Sequence, residues 1–225
     1  MTIHPRVAVL RQLLTSRHSC RAFLSSPVPP TLVSRIVELA QRAPSWCNAQ
    51  PWQLLVTSPE ATERFRRALA AAAGRAPCPD LPFPAAYRGI YEERRRACGY
   101  QLYASLGLLE AGPEERRRQQ RENLRFFGAP HVAIVTTEAA LGVYGVLDCG
   151  AFIASFMLAA EGLGIATIAQ ASIAARSDVV RAHFALPSDR RVVCGISFGY
   201  EDSAHAANRF RTDRAHVREV LTWIE

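Results

Sequence analysis

The chain has 225 residues, 49% of them hydrophobic and 21% charged, the proportions of a globular protein with one full core. Its formal charge is +7, and every one of its 27 basic residues is arginine. The clusters Arg94-Arg95-Arg96 and Arg116-Arg117-Arg118, with Arg121 and Arg125, alternate with Glu92, Glu93, Glu114, Glu115 and Glu122, as on a solvated helix face; no nucleic-acid-binding module accompanies them, so nucleic acid is excluded as a partner.

The start, Met1-Thr2-Ile3-His4-Pro5-Arg6, lacks the layout of a secretion signal, and the cytoplasm is the expected location. Ile3, Val7, Leu10 and Leu14 have helical spacing and predict a first helix ending near Ser16. Residues 17–23 then read as extended chain, which puts Arg17, Ser19 and Arg21 on one face. Two guanidinium groups with a hydroxyl between them suit a phosphate or a polyol. Pro27-Val28-Pro29-Pro30 is a rigid connector, and Thr31 is the expected N-cap of a second helix. That helix buries Leu32, Val33, Ile36, Val37, Leu39 and Ala40.

Pro44 and Pro51 bracket Ser45-Trp46-Cys47-Asn48-Ala49-Gln50, so neither helix nor strand runs through. Such a stiff loop, carrying hydroxyl, amide and indole groups, can hold a planar heterocycle by its polar edge. An apolar strand follows at residues 54–57. A helix over about 60–73 carries Phe65 and Leu69 inward.

Residues 75–84, with four prolines, form an irregular segment. Tyr87, Tyr91, Tyr100, Leu102, Tyr103, Leu106 and Leu109 run along one or two helices, expected first as core packing and second as a cover over a ligand site. Gly112-Pro113 breaks them, and a charged helix follows to about Phe127. A strand is predicted at 131–137. The longest apolar run, 149–160, lies in a helix over 148–162 that is too short to cross a bilayer and reads as a buried helix. A short segment follows at 165–172, then a helix capped by Ser177. In the last strand, 192–200, Val192, Cys194, Ile196, Phe198 and Tyr200 share one face. The other, Gly195, Ser197 and Gly199, is small enough for something to pack against the backbone.

Cysteines at 20, 47, 78, 98, 149 and 194 include no C-x-x-C pair and read as reduced thiols. The histidines are dispersed, and no metal site is predicted. Gly195-Ile196-Ser197-Phe198-Gly199 matches G-x-S-x-G, but a nucleophile elbow needs a sharp strand-to-helix turn with its acid and histidine well downstream. Here alternation runs straight through Ser197, and too few residues follow. No repeat or linker divides the chain, which reads as a single domain, 1–225.

Arg17-His18-Ser19-Cys20-Arg21-Ala22-Phe23 resembles the opening R-x-S-x-R-x-F signature of FMN-dependent nitroreductases. The loop from Ala43 to Trp52 is similar to their A-P-S-x-x-N-x-Q-P-W loop. Further matches are Phe127-Gly128-Ala129-Pro130, Gly162-Leu163-Gly164, Gln170-Ala171-Ser172, Gly195 to Tyr200, and Asn208 to Arg214. The insert at about 75–127 most resembles that of the nitrobenzoate-reductase-like branch, where it would cover the active site.

The resemblance implies an α+β fold: a central, mostly antiparallel sheet wrapped by helices, in an intertwined homodimer with FMN at the interface. It implies that NAD(P)H reduces FMN by hydride transfer, and that a small electron-poor aromatic acceptor then takes the electrons in a ping-pong cycle. Residue by residue, Arg17, His18, Ser19 and Arg21 hold the phosphate and ribityl chain, with Arg214 and Arg211 from the C-terminal part. Pro44, Ser45, Asn48 and Gln50 contact flavin, in part from the other subunit. Gln170 and Ala171 border the ring system, alanine keeping the N–H where glycine is usual. For an Asn and a Lys that smaller members place at the pyrimidine edge, the counterparts here are Glu122 and Arg125. No catalytic side chain is implied. Another flavin reaction on the same fold (reductive dehalogenation, flavin cleavage or substrate dehydrogenation) and a non-catalytic flavin-binding protein remain as alternatives.

Overall fold

The computed structural model describes residues 4–225; Ile3, expected in the first helix, lies outside them. In chain order the regular elements are α1 (Pro5–Ser16), α2 (Pro30–Ala40), β1 (Gln53–Val56), α3 (Pro59–Ala71), α4 (Ile90–Ser105) and α5 (Pro113–Arg121). They continue with β2 (His131–Glu138), α6 (Gly142–Gly162), β3 (Ala166–Gln170), α7 (Ala171–Ala174), α8 (Ser177–Phe184) and β4 (Arg190–Gly199). The four strands form one antiparallel sheet in the order β1-β2-β4-β3. Residues 17–23 extend its β3 edge: Ser19 bridges Thr167 in parallel and Phe23 bridges Glu201.

β2 is buried from His131 to Thr137, and its two faces feed two cores. Ala133 and Val135 join Ile36 and Ala40 of α2 and Cys149, Phe152, Phe156 and Ala160 of α6. Val132 and Ile134 join Phe65 and Leu69 of α3, Phe126, Ile173 and Val180. Each large side chain removed from water in this way contributes about 1.5–3 kcal/mol. The sheet is thus a central layer with helices on both faces, the α+β arrangement expected.

Several local expectations are corrected. α2 begins at Pro30, not after a Thr31 cap; proline at the first helical position lacks only an N–H that would have no partner anyway. Leu39 is 41% exposed, lying off the stripe that Ile36 and Ala40 set. Ser177 is the first residue of α8, with Arg176 as cap; its hydroxyl donates backwards to the Ala174 carbonyl at 2.8 Å. The alternation of β4 breaks at Val193, where β2 pairs Val135 with Cys194 but Thr136 with Val192. The extra residue turns Val192 into the α3/α8 core while Ile196 and Phe198 face α6. The small face is filled from within the chain: Ile173 sits on Gly195 and Pro130 on Gly199.

The central helix α6 starts at Gly142, six residues earlier than predicted, and is 21 residues long. Ala139–Gly162 is therefore long and apolar enough to cross a membrane by length and composition, and its length does not exclude a span. What decides its place here is packing, because one side is committed to the α2 and sheet core. Its other side presents Val143, Tyr144 and Leu147, at 75%, 52% and 64% exposure.

The aromatic helical insert does not pack into the core of the chain. α4 has no buried residue; Tyr87, Tyr91 and Tyr100 are exposed. Instead arginines lie over the rings, Arg95 over Tyr87 at 5.5 Å and Arg116 over Tyr103 at 5.8 Å.

Candidate functional site

Where α1 ends, the extended residues 17–21 face the chain segment after Asn208. A cavity of about 290 Å³ opens between them, lined by Arg17, His18, Ser19, Arg21, Arg211 and Arg214, with Leu14, Thr15, Cys98, Phe210 and Thr212. Four guanidinium groups meet there, and no lining residue carries a carboxylate. The backbone that makes this possible is held by Asn208, which is buried. Its amide oxygen accepts the Arg21 N–H at 2.7 Å, and its NH₂ donates to the carbonyls of Ala22 and Asp202, both at 2.9 Å.

Arg21 is the pivot. Its guanidinium donates to the Ser19 carbonyl at 3.1 Å and lies over the Phe210 ring at 5.3 Å. Burial lowers its pKa, the nearby Cys98 and Cys20 opposing. A half-buried guanidinium with no carboxylate partner among the described residues favours an incoming anion. His18 lines the same cavity, but its ring is engaged, with Nε2 3.2 Å from Glu201 Oε1 and Nδ1 3.2 Å from the Ser16 carbonyl.

On the far side of Arg21 lies a second cavity, of about 510 Å³, whose lining includes Glu122, Arg125, Arg66, Phe127 and Gly128. Glu122 and Arg125 thus share a wall with the cradle through Arg21. A residue that sequence reasoning missed sits closer to the end of β3. The backbone carbonyl of Asn123 accepts the Gln170 side-chain NH₂ at 2.7 Å, and Ser172 Oγ donates to its amide oxygen at 3.4 Å. Asn123 directly follows Glu122, the position to which the resemblance pointed. Its environment comes from two consecutive left-handed residues, Phe126 and Phe127, which no local pattern announces.

Gln170 is buried, and its side chain faces inward, accepting the Ser197 hydroxyl. Ser197 is therefore a structural donor in a straight strand, and the hydrolase motif is without function. What the Gln170-Ala171 turn offers outward is main chain and the exposed Ala171 at the start of α7. Gln170 stands three residues along β3 from Thr167, the partner of Ser19, roughly 10 Å at strand rise. A ribityl chain with its phosphate spans a comparable length.

Pro44, Ser45, Asn48 and Gln50 do not line either cavity. Their loop packs instead on the outward half of α6. Trp46 meets Tyr144 at 4.6 Å between centroids, and Asp148 accepts the Trp46 N–H. Cys47, Asn48 and Gln50 all have positive φ, a conformation held by Ser45 Oγ, which accepts the Gln50 N–H at 3.0 Å, and by Gln50 Nε2, which donates to the Asn48 carbonyl at 3.2 Å. Asp148 marked only a helix boundary in the sequence; its capture of the loop is a contact across about a hundred residues.

A model of the nitroreductase family matches residues 14–200. The chain belongs to the nitroreductase family. Among family members, nitroreductase NfnB of Mycolicibacterium smegmatis is 36% identical over 215 residues, covering 93% of this chain and 90% of that protein. A 4-nitrobenzoate reductase of a Nocardioides species is 35% identical over 230 residues, covering 98% and 92%. The solved structure of FMN-dependent NfnB from Mycobacterium smegmatis, in complex with NADPH, superposes with a TM-score of 0.92 at 34% identity, over 98% of this chain and all of that one. The nitroreductase fold read from the motifs is the fold observed.

Proposed function

We propose that this nitroreductase-family chain is an NAD(P)H-dependent FMN oxidoreductase that reduces nitroaromatic and related electron-poor acceptors. The observation that carries the reading is the cradle of Arg17, Ser19, Arg21, Arg211 and Arg214 with no carboxylate in its lining. That donor set fits a phosphate monoester, which is dianionic near neutral pH. The relatives named above include an FMN-dependent nitroreductase solved with NADPH and a 4-nitrobenzoate reductase, and their substrates set the expected acceptor class.

FMN bound here would supply two-electron hydride chemistry. Arg17, Ser19, Arg211 and Arg214 would hold its phosphate, and Arg21 would bridge the ribityl and ring regions. Gln170, fixed by Asn123 and Ser197, presents the main chain of the β3–α7 turn to the ring. Arg21, Arg66, Arg118 and Arg125 line the second cavity together with Glu63, Glu122 and Asp202, and Arg125 pairs with Glu122 at 3.6 Å. Arg21, unpaired among the described residues, is the cation that would meet negative charge gathering on reduction. No side chain has to act as nucleophile or base. Burial pushes the Cys20 thiol up to about 12 and the Cys194 thiol up to about 11, so both stay protonated at neutral pH.

Pro44, Ser45, Asn48 and Gln50 complete the site from a second copy. In the same proposal the outward face of α6 joins two chains as a homodimer, and the enzyme works in the cytoplasm. The deciding experiment is the visible spectrum of the purified protein, before and after NADPH or NADH is added without oxygen. A flavin spectrum that bleaches is the expected result. A colourless protein that takes up no added FMN would overturn the reading.

A further inference from the structure

α4 has little to hold it in place. None of its residues is buried, and its main packing among the described residues is against the Ala206–Asn208 turn and the chain that follows. Yet it closes the arginine cavity, because Cys98 belongs to the lining. A further cavity of about 470 Å³, sharing Cys98, Thr212 and Arg214 with the first, runs between α4 and residues 212–219. One ion pair joins its two sides, from Arg94 Nη2 to Glu219 Oε2 at 3.0 Å. The other oxygen of Glu219 accepts the His216 N–H at 2.9 Å, closing a capping box on the short turn Val217–Glu219. A single carboxylate therefore folds that turn and ties it to α4.

We infer that Glu219 is a positioning residue for the cofactor site: acting through Arg94, it holds α4 against the arginine cradle and slows release of the phosphate end of the bound cofactor. The inference rests on the FMN reading above. It gives the insert a task, as the outer wall of the phosphate pocket. The two charges are about half exposed, at 46% and 51% of their side-chain surface, so the latch is weak and reversible, worth at most a factor of about five. A weak latch suits a wall that must open whenever cofactor loads, and an element with no buried residue opens at little cost.

The test is FMN release, followed by recovery of flavin fluorescence on dilution, with riboflavin as the ligand lacking a phosphate. Glu219→Gln keeps an acceptor for the His216 N–H and removes the ion pair; FMN should leave about two to five times faster. Glu219→Arg should accelerate release further, although it adds positive charge near the cradle. Arg94→Glu in the same chain should return the rate toward that of the unmodified protein. Riboflavin release should be the same in all four proteins. Slower FMN release from Glu219→Arg would mean that simple charge attraction dominates, and would overturn the inference. So would equal acceleration for riboflavin, or no change in either single variant. If the unmodified protein binds no FMN at all, the functional reading and this inference fall together; normal uptake with unchanged release sinks this inference alone.

Discussion

Asp148, on the second turn of α6, accepts the backbone N–H of Trp46 through both carboxylate oxygens at 3.2 Å. The carboxylate is buried, and the loop it anchors carries three non-glycine residues at positive φ. Removing it takes a charged acceptor from the Trp46 N–H and releases that backbone. Asp148→Ala should cost about 1–3 kcal/mol in urea unfolding and should weaken FMN binding. Asp148→Asn, which keeps one acceptor oxygen, should cost less on both counts. Equal effects of the two variants would show that the charge, not the hydrogen bond, matters.

The arginine cradle gives a second expectation. Arg17→Ala and Arg214→Ala each remove a charged donor set from the cavity, and each should raise the FMN dissociation constant about ten-fold or more. Riboflavin binding should be nearly unchanged, and the salt dependence of FMN binding should become shallower. Fluorescence titration with both ligands over a range of NaCl checks this. A parallel loss of riboflavin affinity would place these side chains somewhere other than at a phosphate.

Gly195 faces Ile173, and a β-carbon there would lie 3.0 Å from Ile173 Cβ and closer still to its δ-methyl. Gly195→Ala should therefore destabilise the fold by about 1–3 kcal/mol. Ile173→Val removes the nearest methyl, so the double variant should recover part of the loss, a coupling readable in a double-mutant cycle by thermal or urea unfolding. Strict additivity would show that the backbone shifts instead.

The cysteines predict a pH dependence. Burial raises the Cys20 thiol from about 9 to about 12, and the Cys149 and Cys194 thiols to about 11. Because the folded-state values are raised, the unfolded chain loses these protons first as pH rises. Their contribution to stability is full below about pH 9 and falls as pH climbs from about 9 through about 12. Unfolding midpoints measured from pH 7 to 11 should decline above 9. At pH 8, Cys47 and Cys78, which are exposed, should react with a thiol reagent well before these three.

Period-two spacing alone puts Arg17, Ser19 and Arg21 on one face, and the structure places all three along one cavity that Arg211 and Arg214 reach from the far end of the chain. The two-sided sheet was legible for the same reason, in alternating strands between helical stretches. What escaped were features set by distant contacts. Asn123 is positioned by Gln170 and Ser172, Val193 bulges only because β2 pairs on both sides of it, and Asp148 reaches a loop a hundred residues earlier. α4 was misjudged as core because its tyrosines look apolar in sequence, while in space they meet arginines and solvent.

The last expectation concerns assembly. The loop from Pro44 to Gln50, proposed above to contact FMN, packs on α6, apart from the cavity that its own chain forms. The same region exposes Val143, Tyr144, Leu147 and Trp46, the last at 62%, a concentration of large apolar side chains that a lone soluble chain rarely presents. If a second chain covers this face and supplies its loop to the cradle, oligomeric state and cofactor binding must fail together. Leu147→Arg puts a charge at the centre of the face without touching the core, since Leu147 is 64% exposed. Sedimentation should show a shift from dimer to monomer. FMN and riboflavin affinity should both fall, because the ring they share loses its loop contacts. A monomeric variant that still binds FMN normally would show that one chain holds the whole site, and the loop would then need another role.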